Sequence, residues 1–262
     1  MCKPGRRHWL ASVLAAIAAA FFLATPVNAE PAARSVLVLG GTGQLGRAIL
    51  AELSATHAVV SVFARENSSR EGIPQRAGEG RTIEWLVGDL LNEADIDRAF
   101  AGRRIDIVIN AVRVEDDDVH FYEKIMGPLV RNARRAGVQQ FIHHSAVGAG
   151  DNVEKFRNLG WERVPGIFER LKDQGIAETL LRESGVPYTI IRNARLYPAS
   201  QPATGKAVLT EDDSVISPMT RADLARLTVG CIGAPRCVNQ SFHVSDPSLR
   251  WPLPRESAGS SP

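Results

Sequence analysis

The chain is 262 residues long, room for one α/β domain or two small ones. Its 44% hydrophobic and 23% charged residues are ordinary for a globular chain, and 31 Lys+Arg against 29 Asp+Glu exclude a polybasic nucleic-acid binder and an acidic disordered chain. Three cysteines are too few for a disulfide scaffold or a four-cysteine zinc site.

Residues 1–29 read as a secretory leader. Lys3, Arg6 and Arg7 precede an apolar run from Leu10 to Ala24, broken only by Ser12, and Val27-Asn28-Ala29 supplies a small-residue cleavage site. The run falls short of the roughly 20 residues a membrane-spanning helix needs, so no stable span is expected once the leader is cut. Arg6-Arg7-His8-Trp9-Leu10 resembles a twin-arginine export signal. Cleavage after Ala29 removes Lys3, Arg6 and Arg7 and no acidic residue, which leaves the mature chain close to neutral. The protein is therefore expected to be exported, periplasmic or secreted. Residues 30–33 form a short linker, 34–245 a single domain, and 246–262 a disordered Pro- and Ser-rich tail.

Ser35 to Leu39 is a buried-strand pattern, and it runs into Gly40-Gly41-Thr42-Gly43-Gln44-Leu45-Gly46 and then a helical pattern through Ile49, Leu50 and Leu53. Strand, glycine-rich turn and helix are the setting of a dinucleotide fingerprint. Glycines let the main chain approach a pyrophosphate, and the helix N-terminus offers it unpaired N–H groups. The predicted fold class is α/β: a single Rossmann-type, doubly wound parallel sheet with helices on both faces. The spacing Gly40-x-x-Gly43-x-x-Gly46 resembles that of the short-chain dehydrogenase/reductase (SDR) superfamily.

Strands are predicted over His57–Phe63, Ile83–Val87, Ile105–Asn110, Phe141–Ser145 and Tyr188–Ile191, with a last one around Phe242. Asn92 caps one intervening helix and Gly102 closes it. Asp116-Asp117-Asp118 opens the next, where negative charge suits the helix dipole, and Pro128 should kink it near Gly127. His143 and His144 are consecutive on a strand, so they point to opposite faces and cannot chelate one metal together; no metal site is expected. A fourth helix spans about Ile167 to Arg182, and Thr220-Arg221-Ala222-Asp223 is a capping box for the last. Trp161 and Phe168 could stack on a flat ring, though packing is the commoner use of such residues. Cys231 and Cys237 could pair in an exported protein or stay as separate thiols.

The resemblance carries site assignments with it. The residue after the second strand sets cofactor choice in that superfamily, and here it is Arg65, placed to pair with the 2′-phosphate of NADP; the adjacent Glu66 keeps NAD open. Asp89 and Leu90 correspond to the adenine side, Asn110, Ala111 and Val112 to the ribose side, and Ser145 to the nicotinamide side. By their place past the carboxyl end of a strand, Arg192, Asn193 and Arg195 should wall the substrate cleft, where Arg192 and Arg195 could meet an acidic substrate or the cofactor phosphate or else form surface ion pairs. A Tyr-x-x-x-Lys pair, the usual general acid of the superfamily, is missing. Phe168-Glu169-Arg170-Leu171-Lys172 keeps Lys172 and lacks the hydroxyl.

The ordered series Arg65–Arg70, Val87–Asp97, Glu178–Tyr188, Ala203–Lys206 and Val215–Leu224 is similar to the flavin reductase/biliverdin-IXβ reductase branch of the atypical SDRs, which overlaps the NmrA-like group. The resemblance implies reduction of a small conjugated acceptor by direct hydride transfer from NADPH, with no tyrosine required. Ala146 stands where that branch often has a second hydroxyl. A dinucleotide sensor without turnover is the alternative reading, and a sugar-nucleotide epimerase a third, disfavoured by the missing tyrosine.

Overall fold

The computed structural model describes residues 33–56, 58–77, 80–114 and 118–251. The expected leader, His57, Asp116, Asp117 and the chain beyond Trp251 lie outside these residues. In chain order the elements are β1 (Ser35–Leu39), α1 (Gln44–Ser54), β2 (Val59–Ala64), the short antiparallel pair β3 (Arg76–Ala77) and β4 (Arg81–Thr82), and β5 (Glu84–Val87). Next come α2 (Glu93–Phe100), β6 (Ile107–Asn110), α3 (Phe121–Arg135), β7 (Gln140–Ala146), a stretch of 3₁₀ turns (Gly150–Leu159) and α4 (Ile167–Glu183). The chain continues with β8 (Tyr188–Asn193), β9 (Val208–Thr210), α5 (Arg221–Gly230) and β10 (Gln240–Ser245).

Eight strands form one sheet in the order β5-β2-β1-β6-β7-β8-β10-β9. All neighbours pair in parallel except β9, which runs antiparallel to β10 at the edge. The expected parallel sheet is therefore mixed at one edge. β9 and the β3–β4 pair escaped sequence reading because segments of two or three residues carry no periodicity. Central strands are continuously apolar because both faces are covered. Val36 and Val38 join Ile49, Leu50 and Leu53 of α1 and Leu224 and Ala225 of α5 on one side. Leu37, Leu39 and Val108 join Ile96 of α2, Ile125 and Leu129 of α3, and Leu181 of α4 on the other.

Local signals explain the helix ends. Asn92 accepts a hydrogen bond from Ala94 N at 3.1 Å, and Gly102 follows α2 with φ +68. Thr220 caps α5 by accepting from Asp223 N at 3.0 Å. α3 starts at Phe121, later than the acidic run implied, and its N-terminus is capped from another helix: Asp173 of α4 accepts from Tyr122 N and Glu123 N, both at 2.8 Å. It runs through Pro128 as one helix.

The ordered domain also outruns its expected end at Ser245. Asp246 is buried, Ser217 Oγ accepts from Asp246 N at 2.9 Å, and Tyr197 donates to Arg250 O at 2.7 Å. Short polar residues read as tail because their partners lie some 30 to 50 positions away. Cys231 and Cys237 are joined in a disulfide at the end of α5, with their Cα atoms 5.5 Å apart.

Candidate dinucleotide and substrate site

Sheet order reverses at β1. The chain steps from β1 outward to β2 and β5, then returns to β6 on the other side and continues to β7 and β8. In open α/β sheets that reversal leaves a crevice at the carboxyl ends of the strands, where ligands bind. Gly40 ends β1 at φ +75 and packs so close to the next strand's exit that a Cβ there would lie 2.9 Å from Ala111 C and O. A Cβ at Gly46 would lie 2.1 Å from Gly40 O, so only glycine lets α1 start against the turn. Gly43 differs: it is exposed, has φ −72 and would set its Cβ 3.4 Å from Gly40 O. Gly41 packs against Val62, Gln44 opens α1, and Leu45 rests on the core. The first turn of α1 therefore meets the crevice with its free N–H groups, the geometry that accepts a phosphate.

The other expected cofactor residues lie at or just beyond the carboxyl ends of β2, β5 and β6. Arg65 is exposed at the end of β2. Asp89 is exposed, and its Oδ1 accepts from Leu91 N at 2.9 Å, which fixes the turn after β5. Leu90 packs inward against the α2 side. The Asn110 side chain is buried. It meets His143 Nδ1 at 3.2 Å and accepts from Val112 N at 3.2 Å, while Tyr122 donates to Val112 O at 3.0 Å. Two side chains thus hold both polar groups of the Val112 main chain. Asn110 thereby fixes the peptide that follows β6.

Ser145 pairs in register with Arg192, and Arg192 with His243, a polar row across β7, β8 and β10 on the α4 side of the sheet. Ser145 is buried, facing the Glu178 carboxylate of α4. Glu178 accepts from Arg192 Nε at 2.9 Å and Nη2 at 2.6 Å, and from Arg182 Nη2 at 2.9 Å. Burial pushes the Glu178 carboxyl up, but the two guanidinium groups outweigh it and hold its pKa below the ordinary value. Arg192 belongs to β8 itself, and its fork is occupied by a carboxylate of its own chain. It still reaches a cleft of about 390 Å³, lined also by Lys172, Thr179, Asn152, Lys155 and Asp213. Lys172 therefore faces that cleft on the side of α4 that carries Thr179. Asn193 anchors the turn after β7 by accepting from Val147 N at 3.2 Å, and Arg195 is exposed just beyond β8.

Four of the residues have structural roles. Trp161 stacks on Phe156 at 5.7 Å and packs against Gly148, and the ring of Phe168 lies under the Arg157 guanidinium at 6.0 Å. His143 and His144 do face opposite sides, His144 reaching Thr228 of α5 at 3.1 Å. Burial holds His143 at a pKa of about 4 and His144 at about 3, both neutral at pH 7. His243 completes the polar row, and sequence reading missed it. A lone histidine on a late strand carries no local signal, and only strand order brings it beside Arg192.

None of the three tyrosines is placed as a free general acid. Tyr122 is buried with its hydroxyl on Val112 O, and burial raises its pKa to about 12. Tyr188 opens β8 at the far end of the sheet, and Tyr197 is bonded to Arg250 O. Among the described residues no group of three His, Cys, Asp or Glu side chains could hold a metal, and no helix is long and apolar enough to cross a membrane.

The crevice, the glycine turn and the reversal at β1 coincide with a known sequence profile. Residues 40–235 match the NAD(P)H-binding family. The chain belongs to that family. Its fold is the Rossmann-like α/β fold of NAD(P)-binding proteins. A photosystem II assembly factor of Trieres chinensis is 26% identical over 79% of this chain and 62% of its own length. Sterol demethylase protein B of Methylococcus capsulatus is 30% identical over 62% of this chain and 51% of its own. The chain thus spans between half and two thirds of these two relatives. Among solved structures, an anaerobillin reductase from Escherichia coli O157:H7 is 20% identical with a TM-score of 0.69, covering 82% of this chain and 98% of that one. A Veillonella parvula short-chain dehydrogenase/reductase in complex with NADP is 18% identical with a TM-score of 0.67, over 84% and 98% of the two chains.

Proposed function

We propose that this NAD(P)H-binding family member is an exported, NADPH-dependent reductase that passes hydride directly to a small conjugated acceptor of the flavin, quinone or linear tetrapyrrole kind. The observation that carries the reading is the pairing of a complete glycine cradle with tyrosines committed elsewhere. Gly40, Gly43 and Gly46 bring the main chain to the pyrophosphate, Arg65 pairs with the 2′-phosphate, Asp89 borders the adenine, and the turn from Ser145 to Val147 forms the nicotinamide end. A conjugated acceptor spreads the incoming negative charge and takes its proton from water, so a protein phenol is dispensable. The likeness to an anaerobillin reductase and to an NADP complex supports the same choice of acceptor and cofactor.

Export is supported by the leader pattern and by the Cys231–Cys237 disulfide, since such bonds persist mainly outside the reducing cytosol. The substrate cleft is assigned to the exits of β7 and β8, near Arg192, Asn193 and Arg195. The test is NADPH oxidation by the purified mature protein with FMN, quinones and a linear tetrapyrrole as acceptors, beside fluorescence titrations with NADPH and NADH. Turnover with one acceptor class and tighter NADPH binding are expected. Tight NADPH binding with no turnover on any acceptor replaces this reading with that of a dinucleotide sensor, and no binding of either nucleotide at millimolar concentration ends both.

A further inference from the structure

Arg47 lies one residue past Gly46, in the first turn of α1, and its Nε, Nη1 and Nη2 all donate to main-chain carbonyls. Nε donates to Thr42 O at 2.8 Å, Nη2 donates to Ser69 O at 2.8 Å, and Nη1 donates to Glu71 O. Thr42 belongs to the glycine turn. Ser69 and Glu71 belong to the segment that follows β2 and carries Arg65, Ser68 and Arg70. One planar guanidinium therefore bridges two loops that have no hydrogen-bonded strand between them.

The second of these loops has little apolar packing. Residues 65–72 are mostly exposed, and Ile73 is the first buried side chain after Ala64. A turn closes it from Ser68 N to Arg65 O at 3.1 Å, and Arg70 lies over the Trp85 ring at 4.5 Å. Segments with few apolar contacts open readily, so the bonds from a charged, forked donor weigh heavily on its shape. A lysine cannot reproduce them, because one ammonium cannot meet three carbonyls in a plane.

We propose that Arg47 is a positioning residue for cofactor discrimination: by tying Ser69 and Glu71 to Thr42 it sets the Arg65 loop at the distance from the pyrophosphate turn that a 2′-phosphate requires. The inference rests on the assignment of Arg65 to that phosphate. Each of the three guanidinium nitrogens of Arg47 serves a carbonyl of this chain, and the phosphate contact is given to Arg65 rather than to Arg47. Discrimination is thereby built into the first turn of α1, away from the residue that makes the contact.

Titration of the mature protein with NADPH and NADH tests this in Arg47→Met, Arg47→Lys, Arg65→Ala and the double variant Arg47→Met with Arg65→Ala. Arg47→Met should cut the ratio of NADPH to NADH affinity by about tenfold, and Arg47→Lys should do nearly the same, one charge-assisted bond being worth about that factor. In the Arg65→Ala background the ratio should not fall further, because both changes remove one effect. An additive loss would mean that Arg47 contacts the phosphate itself, and a full ratio in Arg47→Lys would mean that charge alone suffices; either overturns the proposal. Hydrogen exchange without nucleotide is the second readout. Amides of residues 66–73 should exchange about tenfold faster in Arg47→Met while β1 and β6 keep their protection, and unchanged exchange there also overturns it. A wild type that binds both nucleotides equally removes the Arg65 assignment, whereas the exchange result still decides whether Arg47 holds the loop.

Discussion

Replacing Gly46 and Gly43 singly by alanine separates packing from ligand contact. At Gly46 the new methyl would sit 2.1 Å from Gly40 O and 2.6 Å from Gly41 Cα, both main-chain atoms. Ordinary contact lies above about 3.3 Å, so α1 and the turn must part by roughly 1 Å. Overpacking of that kind costs about 1–3 kcal/mol, equivalent to about 2–4 °C in Tm for each kcal/mol. It also withdraws the helix N-terminus from the pyrophosphate. Loss of one charge-assisted hydrogen bond, about 1.5–3 kcal/mol, weakens NADPH binding roughly 10- to 150-fold. At Gly43 the methyl meets only Gly40 O, at 3.4 Å, and the main chain is already at φ −72. Gly43→Ala should therefore cost less than about 1 kcal/mol of stability, yet it puts a methyl on the face the pyrophosphate approaches. Thermal unfolding beside a fluorescence titration reads both effects. Gly46→Ala should lose stability and affinity together, and Gly43→Ala mainly affinity. Wild-type Tm and affinity in Gly46→Ala, or equal destabilisation in both variants, would refute the packing argument.

Changing Cys231 and Cys237 both to serine opens a loop with a sequence separation of 6; it should cost about 2 kcal/mol and lower Tm by about 4–8 °C, and reductant should produce the same shift in the wild type only. His143, at a pKa of about 4 because of burial, takes up its proton more readily in the unfolded chain, so its contribution is complete above the unfolded value and is lost as pH falls from about 6.5 to 4. Urea titrations at pH 7.5 and pH 4.5 should differ by on the order of 3 kcal/mol from this group alone, and His143→Gln should flatten that slope. Asp223 and Asp246 are pushed up by burial but held below the ordinary carboxylate range by their hydrogen bonds, Asp223 through Thr204 N and Thr220, Asp246 through Ser248 and Thr204; their contribution is present above the unfolded carboxylate pKa and disappears as pH drops below it, so Asp223→Asn should reduce acid sensitivity below pH 4. Exchange of Arg6 and Arg7 for lysine keeps the leader's charge and should strand the protein, with its nucleotide, in the cytoplasm; normal export of that variant would point to the unfolded-chain route and leave an empty site outside.

What the sequence determined by itself is whatever is carried by neighbours in the chain. The β1–turn–α1 unit was legible because its strand, three glycines and helix pattern fall within about 20 residues. Caps at Asn92 and Thr220 were legible for the same reason, since a cap bonds to N–H groups two or three residues on. The family followed from a series of such local units in order. Partnerships across the chain were decided only by the tertiary structure. Asp173 caps α3 from α4, Arg47 donates to carbonyls more than 20 residues away, and Glu178 is the ion-pair partner of Arg192. The row Ser145–Arg192–His243 exists because β7, β8 and β10 lie side by side in the sheet. A side chain's neighbours are set by strand order and by which face the pleat turns inward, and neither is a local property of the chain.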